Sequence, residues 1–348
     1  MLDLNFSIII TVYQREDELT ELLESLSNQT DGNFEVVIVD DGSPEKLESI
    51  VKQFSSKLTV KYFYKPNSGP GKSRNYGMER ASGDYFIFLD SDTIIPSTYI
   101  ETVRKELSVN YVDAFGGPDS ASDSFSDLQK AISFSMTSFL TTGGIRGGKK
   151  HIGKFQPRSF NMGISKLAFE KTGGFGDLRI GEDPDLSMRL WENDFETSLF
   201  LNAKVFHKRR TNLKKFIQQV YQFGVARPIL NRRHPNYTKP TFWLPSLFFI
   251  CFSFCILSLF ASLILPEELI GFLSLRFSLL FFIPLFLYFL LISILSSYQF
   301  KSFKIGILSI LTTFFQFMGY GYGFLKSWVY LNVFRQNPVS IFPSHFYK

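Results

Sequence analysis

The chain has 348 residues, a formal net charge of +5 and a pI near 9.0, so it holds one large domain or two ordinary ones and is moderately basic. Charge of that size names no partner by itself, and nucleic acid is not expected to be one. Phenylalanine is the outlier, with 40 residues against 3 tryptophans, and its crowding into the last third excludes a compositionally uniform protein.

The opening "MLDLNFSIII" lacks the basic start of a signal peptide, and its short apolar run leads straight into polar sequence. The soluble part is therefore expected to stay where it is made. Through residue 225 the chain alternates strand and helix. The apolar runs "FSIIITV", "FEVVIVD", "LTVKYFY" and "DYFIFLD" predict strands, and "EDELTELLESLSNQ" and "PEKLESIVKQFSS" predict the helices between them. Continuous β-branched runs suit strands buried on both faces. The expected fold class is α/β, a Rossmann-like, mostly parallel sheet with helices on both faces. In such sheets ligands bind beyond the carboxyl ends of the strands.

Those strand ends carry the chemistry. "IVDDGSPE" closes the second strand with Asp40 and Asp41, then turns through Gly42 with Ser43 and Pro44 placed to start a helix. "NSGPGKSRNYG", residues 67–77, is a glycine-rich turn leading into a helix with Lys72, Arg74 and Asn75, a natural setting for phosphate. The fourth strand ends in "FLDSDT", with Asp90 and Asp92 one residue apart. A solvated turn would explain two carboxylates, but these interrupt an apolar neighbourhood, where burying them without a counter-ion is costly.

Further on, "GGIRGGKKHIGK" over residues 143–154 reads either as a mobile lid or as a flexible insertion. "RSFNMGISKLAFEKTGGF" sets Arg158, Asn161 and Gly163 ahead of a helix. "GED" at 181–183 opens another helix, where the dipole favours acids and a carboxylate would be held rigidly enough to act as a base. His207 follows the strand-like "LFLNAKVF", either as a ligand or as an ordinary surface residue. Residues 208–239 contain nine lysines and arginines and no acid, which reads equally as a topology signal or as a site for anionic head groups or a lipid diphosphate.

Residues 242–265, 277–300 and 305–325 are uncharged and long enough to cross a bilayer as helices within a transmembrane region over 242–331, followed by a tail over 332–348. The third stretch holds "FMGYGYGF" and reads either as a span or as an interfacial or re-entrant segment. Cys251 and Cys255, one turn apart in the first stretch, read as packing residues. The basic residues 226–241 form the expected juxtamembrane linker. Their charge places residues 1–240 on the cytoplasmic side, with the connector "PEELIGFLSLR" outside and "QFKSFK" inside. Three spans leave the last residues outside, at odds with Arg335 and Lys348.

Taken together, "SIIITVYQRED", "VVIVDDGSPE", "NSGPGKSRNYG", "FLDSDT" and "GGFGDLRIGEDPDLSMRLWENDF" resemble the inverting family 2 glycosyltransferases of GT-A fold, over about residues 5–225. The resemblance implies transfer of a sugar from a nucleoside diphosphate donor to a hydroxyl acceptor, with Mg2+ or Mn2+; by frequency in the family the nucleotide is uridine diphosphate. It implies that Asp92 and His207 serve the metal and that Asp90, Asp40, Thr11, Tyr13, Gly71 and Arg74 serve the donor. Asp183 is then the general base and Glu182 its companion, with Arg158, Asn161 and Gly163 on the acceptor and diphosphate side. A hard cation and a diphosphate leaving group agree with these carboxylates.

Processive polysaccharide synthases carry Q-x-x-R-W after the base, whereas "FIQQVYQFGVARP" has no Arg-Trp pair, so transfer of a single sugar is expected. The spans read as an anchor in a bacterial-type inner membrane, facing a glycan or lipid-linked acceptor. Two other functions compete. One is a haloacid-dehalogenase-type phosphatase, which wants threonine or valine where Ile94 stands; the other is a non-catalytic nucleotide-sugar-binding scaffold, against which Asp90, Asp92 and Asp183 argue.

Overall fold

The run Phe6–Val12 forms strand β1, and its two neighbours in the sheet decide where a ligand can sit. In chain order it is followed by α1 (Glu16–Ser27), β2 (Phe34–Asp40), α2 (Glu48–Phe54), β3 (Val60–Tyr64), α3 (Pro70–Met78), β4 (Tyr85–Asp90), β5 (Thr93–Ile94) and α4 (Tyr99–Val109). Then come β6 (Ala114–Gly116), β7 (Asp119–Ser120), α5 (Asp127–Thr137), α6 (Phe139–Thr142), β8 (Asn161–Ser165), α7 (Lys166–Thr172), α8 (Glu182–Glu192), β9 (Thr197–Leu199) and β10 (Val205–His207). This computed structural model describes residues 4–120, 125–143, 154–207, 212–264 and 267–347. The glycine and lysine loop at 143–154 lies almost wholly outside them.

The chain divides into two units, one of Met1–Asp123, Thr142–Lys208 and Phe342–Lys348, the other of Ser124–Thr141 and Arg209–Ile341. In the first, a seven-stranded sheet has the order β3-β2-β1-β4-β8-β6-β9, and β5, β10 and β7 form a small second sheet. β1 pairs in parallel with both β2 and β4, which puts Val12 opposite Asp40 and Thr11 opposite Asp90. Chain direction reverses between β4 and β8. Winding runs one way from β1 through β2 and β3 and the other way through β4, so the carboxyl ends of β1 and β4 flank a topological switch point.

The predicted two-sided burial follows from the strand sequences. Ile8, Ile10, Ile38, Ile87 and Leu89 pack with α1 and α4 on one face, and Ile9, Val37, Phe86 and Phe88 pack on the other with Met78, Leu186 and Leu190. One buried acid interrupts this core. Glu35 accepts from Ser7 Oγ at 2.7 Å and from the Ser82 amide at 2.5 Å, and pairs with Lys61 Nζ at 2.8 Å. Burial raises its pKa, but these donors outweigh burial and pull it down to about 2.

In the second unit the sequence-based boundary at 225 falls inside a single helix, α9 (Leu213–Arg233). Residues 226–233, expected as linker, continue that helix. Basic side chains are good helix formers, and Phe216, Val220, Val225 and Ile229 form a buried face that charge density conceals. The apolar stretches form α10 (Leu244–Ile264), α11 (Glu267–Phe300) and α12 (Phe303–Trp328), and among the described residues three helices are long and apolar enough to cross a membrane by length and composition. The expected connector "PEELIGFLSLR" is helical from Glu267 onward.

"FMGYGYGF" lies within continuous helix, and its glycines are contact surfaces. A Cβ on Gly323 would stand 2.4 Å from Tyr221 O, one on Gly321 2.2 Å from Pro245 O, and one on Gly224 of α9 2.2 Å from Tyr320 O. Small residues let helix backbones approach this closely. Phe342–Lys348, expected as part of a tail, belongs to the first unit.

Replacing Glu35 with Gln is expected to lower stability by about 1–2 kcal/mol at neutral pH, discounted because Lys61 is partly in solvent. The stabilisation is present above the ordinary glutamate pKa and is lost as pH falls from about 4.5 toward about 2. Thermal unfolding of both proteins across that range in detergent checks this: the two curves should converge at the acid end.

Candidate active site

Arg74 links the two acidic motifs. It lies on α3, almost fully buried at 5% exposure, and donates from Nη2 to Asp90 Oδ1 and from Nη1 to Glu182 Oε1, both at 2.8 Å. One guanidinium thus joins the end of β4 to the start of α8. Its plane lies over the Phe175 ring, 5.2 Å from the centroid. Burial opposes its charge, but Glu182, Asp90 and Asp183 more than offset this and raise its pKa.

Local sequence explains how α8 arrives there. Gly173 caps α7 at φ +71°, Gly174 follows at +70° and Gly181 caps α8 at +92°, conformations that suit glycine. Asn75, one residue after Arg74, accepts from the Phe175 amide and donates to Phe175 O, each at 2.8 Å. Arg189 donates to Thr172 O and Gly174 O at 2.7 Å while pairing with Asp185. The loop before the GED is therefore tied to both α3 and α8.

Beyond the tip of β4, Asp92 Oδ2 pairs with Arg15 Nη1 at 2.6 Å. Thr11 and Tyr13 stand at the end of β1, with Tyr13 exposed. Asp40 faces inward: its oxygens accept from the Ser43 amide at 2.9 Å, Tyr62 OH at 2.7 Å and the Leu47 amide at 3.4 Å, bracing the turn after β2. Neighbouring Asp41 takes Lys65 Nζ and the amides of Ser68 and Gly69, holding the glycine-rich turn to the strand end. The β10 register sets His207 opposite Thr93, one residue past Asp92.

Two predicted positions lie on β8, packed within the sheet. Asn161 is fully buried, with Oδ1 accepting from Tyr99 OH at 2.6 Å and Nδ2 donating to Ala203 O at 2.8 Å, so its amide is spent on the core. Gly163 lies against the Phe115 and Tyr85 rings, where a Cβ would come within 2.1 Å. β8 runs antiparallel to β4, which sets Asn161 opposite Leu89, one residue before Asp90, and Gly163 opposite Ile87 in mid-strand. Arg158 lies in the loop before β8, its backbone O accepting from the Asn161 amide.

Residues 7–171 match the description Glycosyl transferase family 2. An uncharacterized glycosyltransferase of Haemophilus influenzae is 30% identical over 219 residues, 60% of this chain and 70% of its own. The chain is a family 2 glycosyltransferase. An uncharacterized glycosyltransferase of Rickettsia bellii is 38% identical over 108 residues, 31% of this chain and 16% of that one. The Rickettsia relatives are matched over only 16–29% of their length. A mannosyltransferase of Pyrobaculum calidifontis, solved with GDP-Man and Mn2+, superposes with TM-score 0.53 and 15% identity over 66% of this chain and 64% of its own. That likeness, with the sheet order, shows the GT-A fold.

Sequence reasoning missed three groups in this glycosyltransferase. Arg15 stood inside a quoted motif, but nothing local pairs it with Asp92. Lys65 follows β3 and meets Asp41 only through the sheet. Tyr347 comes from far along the chain: its hydroxyl accepts from the Gly71 amide at 2.8 Å and donates to Glu182 Oε2. Glu182 is pushed up to about 7 by burial, with Asp183 adding to the rise and Arg74 and Tyr347 opposing it.

Among the described residues no group of three or more His, Cys, Asp or Glu side chains could hold a metal ion. The donors nonetheless fit a hard cation that completes its shell from substrate phosphates. A cationic guanidinium already stands against Asp92, and Asp183 Oδ1 is buried with no hydrogen-bond partner.

Arg74→Ala strands the buried carboxylate of Glu182, and is expected to cost about 3–5 kcal/mol at pH 8. Glu182 already has a raised folded pKa, so its contribution is lost as pH rises from about 4.5 through about 7. Without Arg74 the folded pKa rises further. Unfolding measured in detergent at several pH values should therefore show a deficit that widens above pH 7 and narrows below it.

Proposed function

We propose that this enzyme transfers a single sugar from a nucleoside diphosphate sugar to a hydroxyl acceptor by direct displacement, inverting the anomeric centre. The observation that carries this reading is the Arg74 bridge, which joins the D-x-D strand end to the Glu182–Asp183 helix start at the switch point of the sheet.

Each residue has a place in that reading. Thr11, Tyr13 and Asp90 line the nucleoside side at the ends of β1 and β4, and Asp40 braces the wall behind them. Gly71 leaves room at the start of α3, where a Cβ would lie 2.5 Å from Glu182 Oε2. Arg74 offers positive charge to the leaving diphosphate. Asp183, with an unpartnered buried oxygen, takes the acceptor hydroxyl proton as the bond to the anomeric carbon forms. Glu182 holds Arg74 in place.

Mg2+ or Mn2+ held by Asp92 with His207 would neutralise charge on the departing diphosphate. The Pyrobaculum enzyme's complex with GDP-Man and Mn2+ supports a metal-assisted donor of this class. Uridine diphosphate is the nucleotide proposed from the family resemblance.

Three helices long and apolar enough to span support membrane attachment, and with it a lipid-linked or envelope glycan as acceptor. The basic run over residues 208–239 supports a cytoplasmic catalytic unit at a bacterial-type inner membrane.

Calorimetric titration of the detergent-purified enzyme with UDP, GDP and dTDP, with and without Mn2+, tests the donor site. One nucleotide is expected to bind only with metal and to be lost in Asp92→Ala. Asp183→Asn should keep that binding yet lose about a hundredfold or more in transfer. Absence of binding to all three nucleotides would overturn the donor-site reading, whereas binding without any transfer would favour the nucleotide-sugar-binding scaffold.

A further inference from the structure

Residues 342–347 return to the catalytic unit and lie along the loop that precedes Glu182. The amides of Arg179 and Ile180 donate to His345 O at 2.8 and 3.4 Å, and the Tyr347 amide donates to Asp177 O at 2.9 Å, beside a bridge between Leu178 and Phe346. His345 and Phe346 are buried there. The segment thus docks by backbone pairing on the stretch that presents the catalytic acids.

The glycine-rich turn is shaped to receive its tyrosine. A Cβ on Gly69 would stand 2.2 Å from the Tyr347 ring, and one on Gly71 2.9 Å from its hydroxyl. Lys72 Nζ lies 5.9 Å from the ring centroid. The hydroxyl then uses both of its capacities, accepting from the Gly71 amide and donating to Glu182 Oε2, while the other Glu182 oxygen holds Arg74.

Resting on the reading of Glu182 and Asp183 as the catalytic pair, we propose that Tyr347 is a positioning residue. Its hydroxyl fixes the Glu182 carboxylate so that Arg74 stays aimed between Glu182 and Asp90. The chain Tyr347–Glu182–Arg74–Asp90 then spans the site from the start of α3 to the end of β4. The charged and titratable groups facing Glu182 are Arg74 from α3, Asp183 beside it on α8 and Tyr347 itself, with Asp90 across Arg74 and Lys72 over the tyrosine ring. A hydrogen bond from Tyr347 favours the ionised glutamate, so its loss makes Glu182 easier to protonate.

The test is Tyr347→Phe in the full chain, which keeps the ring and removes only the hydroxyl. Turnover is read as nucleoside diphosphate release from a panel of UDP- and GDP-hexoses with Mn2+. We expect kcat to fall about tenfold with donor KM changed less than about twofold, and the acid limb of the pH profile to move up by about one unit. Infrared titration of the protonated carboxyl, assigned by its disappearance in Glu182→Gln, follows the same group without turnover; its midpoint should rise similarly. An unchanged midpoint and wild-type kinetics overturn the proposal, and so does faster turnover, which would make Tyr347 a plug. Asp183→Asn separates the two failures. If it retains turnover, the catalytic reading itself falls; if it loses turnover while Tyr347→Phe is unaltered, only the role of Tyr347 falls.

Discussion

A single buried guanidinium between two carboxylates is the constraint on which the rest of the site depends. Arg74 cannot shed its charge, and at 5% exposure it has little water to compensate it. Asp90 and Glu182 are its counter-ions, and they come from opposite halves of the catalytic unit. The end of β4 and the start of α8 are therefore mutually required. Removing either acid takes from a buried cation one of its two counter-ions and leaves one arm of the guanidinium without its acceptor.

The surrounding structure keeps that arrangement from relaxing. The loop ahead of α8 is held on three sides: by Asn75 next to Arg74 in the chain, by the Arg189 fork on Thr172 and Gly174, and by the backbone of residues 342–347. Each tie ends on a backbone group of the loop or its neighbours, two of them reached by the side chains of Asn75 and Arg189 and the third by paired backbone. On the other side, Asp41 with Lys65 fastens the glycine-rich turn to β2. The result is a rigid ring of polar contacts around an opening where Tyr13 is exposed.

Much of this was legible in the sequence, because local patterns produced it. The apolar runs gave strands within a residue or two of those observed, and acids at strand ends and a helix start lie where parallel-sheet topology sends them. Arg74 was legible as a cation near phosphate, but its bridge was not, since Asp90 and Glu182 lie 16 and 108 residues away. Asn161 and Gly163 sat in a motif-like stretch, and only the folded sheet shows Asn161 bonded to Tyr99 and Ala203 and Gly163 against the Phe115 ring. Tyr347 carried no local signal, because its partners Gly71 and Glu182 lie 276 and 165 residues away in the chain. At 225 a charge change suggested a break, whereas α9 runs through it on its apolar face.

Helix α3 has a consequence for how this enzyme can diversify. It begins with Gly69-Pro70-Gly71, carries Arg74 in its middle, and lays Gly77 flat on the sheet, where a Cβ would meet Ile9 at 2.7 Å and Val39 at 3.2 Å. Its first turn is fitted to a tyrosine, its centre to two carboxylates and its end to the strands, so Gly71, Arg74 and Gly77 are each committed by what they touch. Just past β1, by contrast, Tyr13 is exposed and Gln14 follows at a left-handed φ of 54°. A change at any of those three helix positions has to be answered by a change in a distant element, whereas a change at Tyr13 meets solvent.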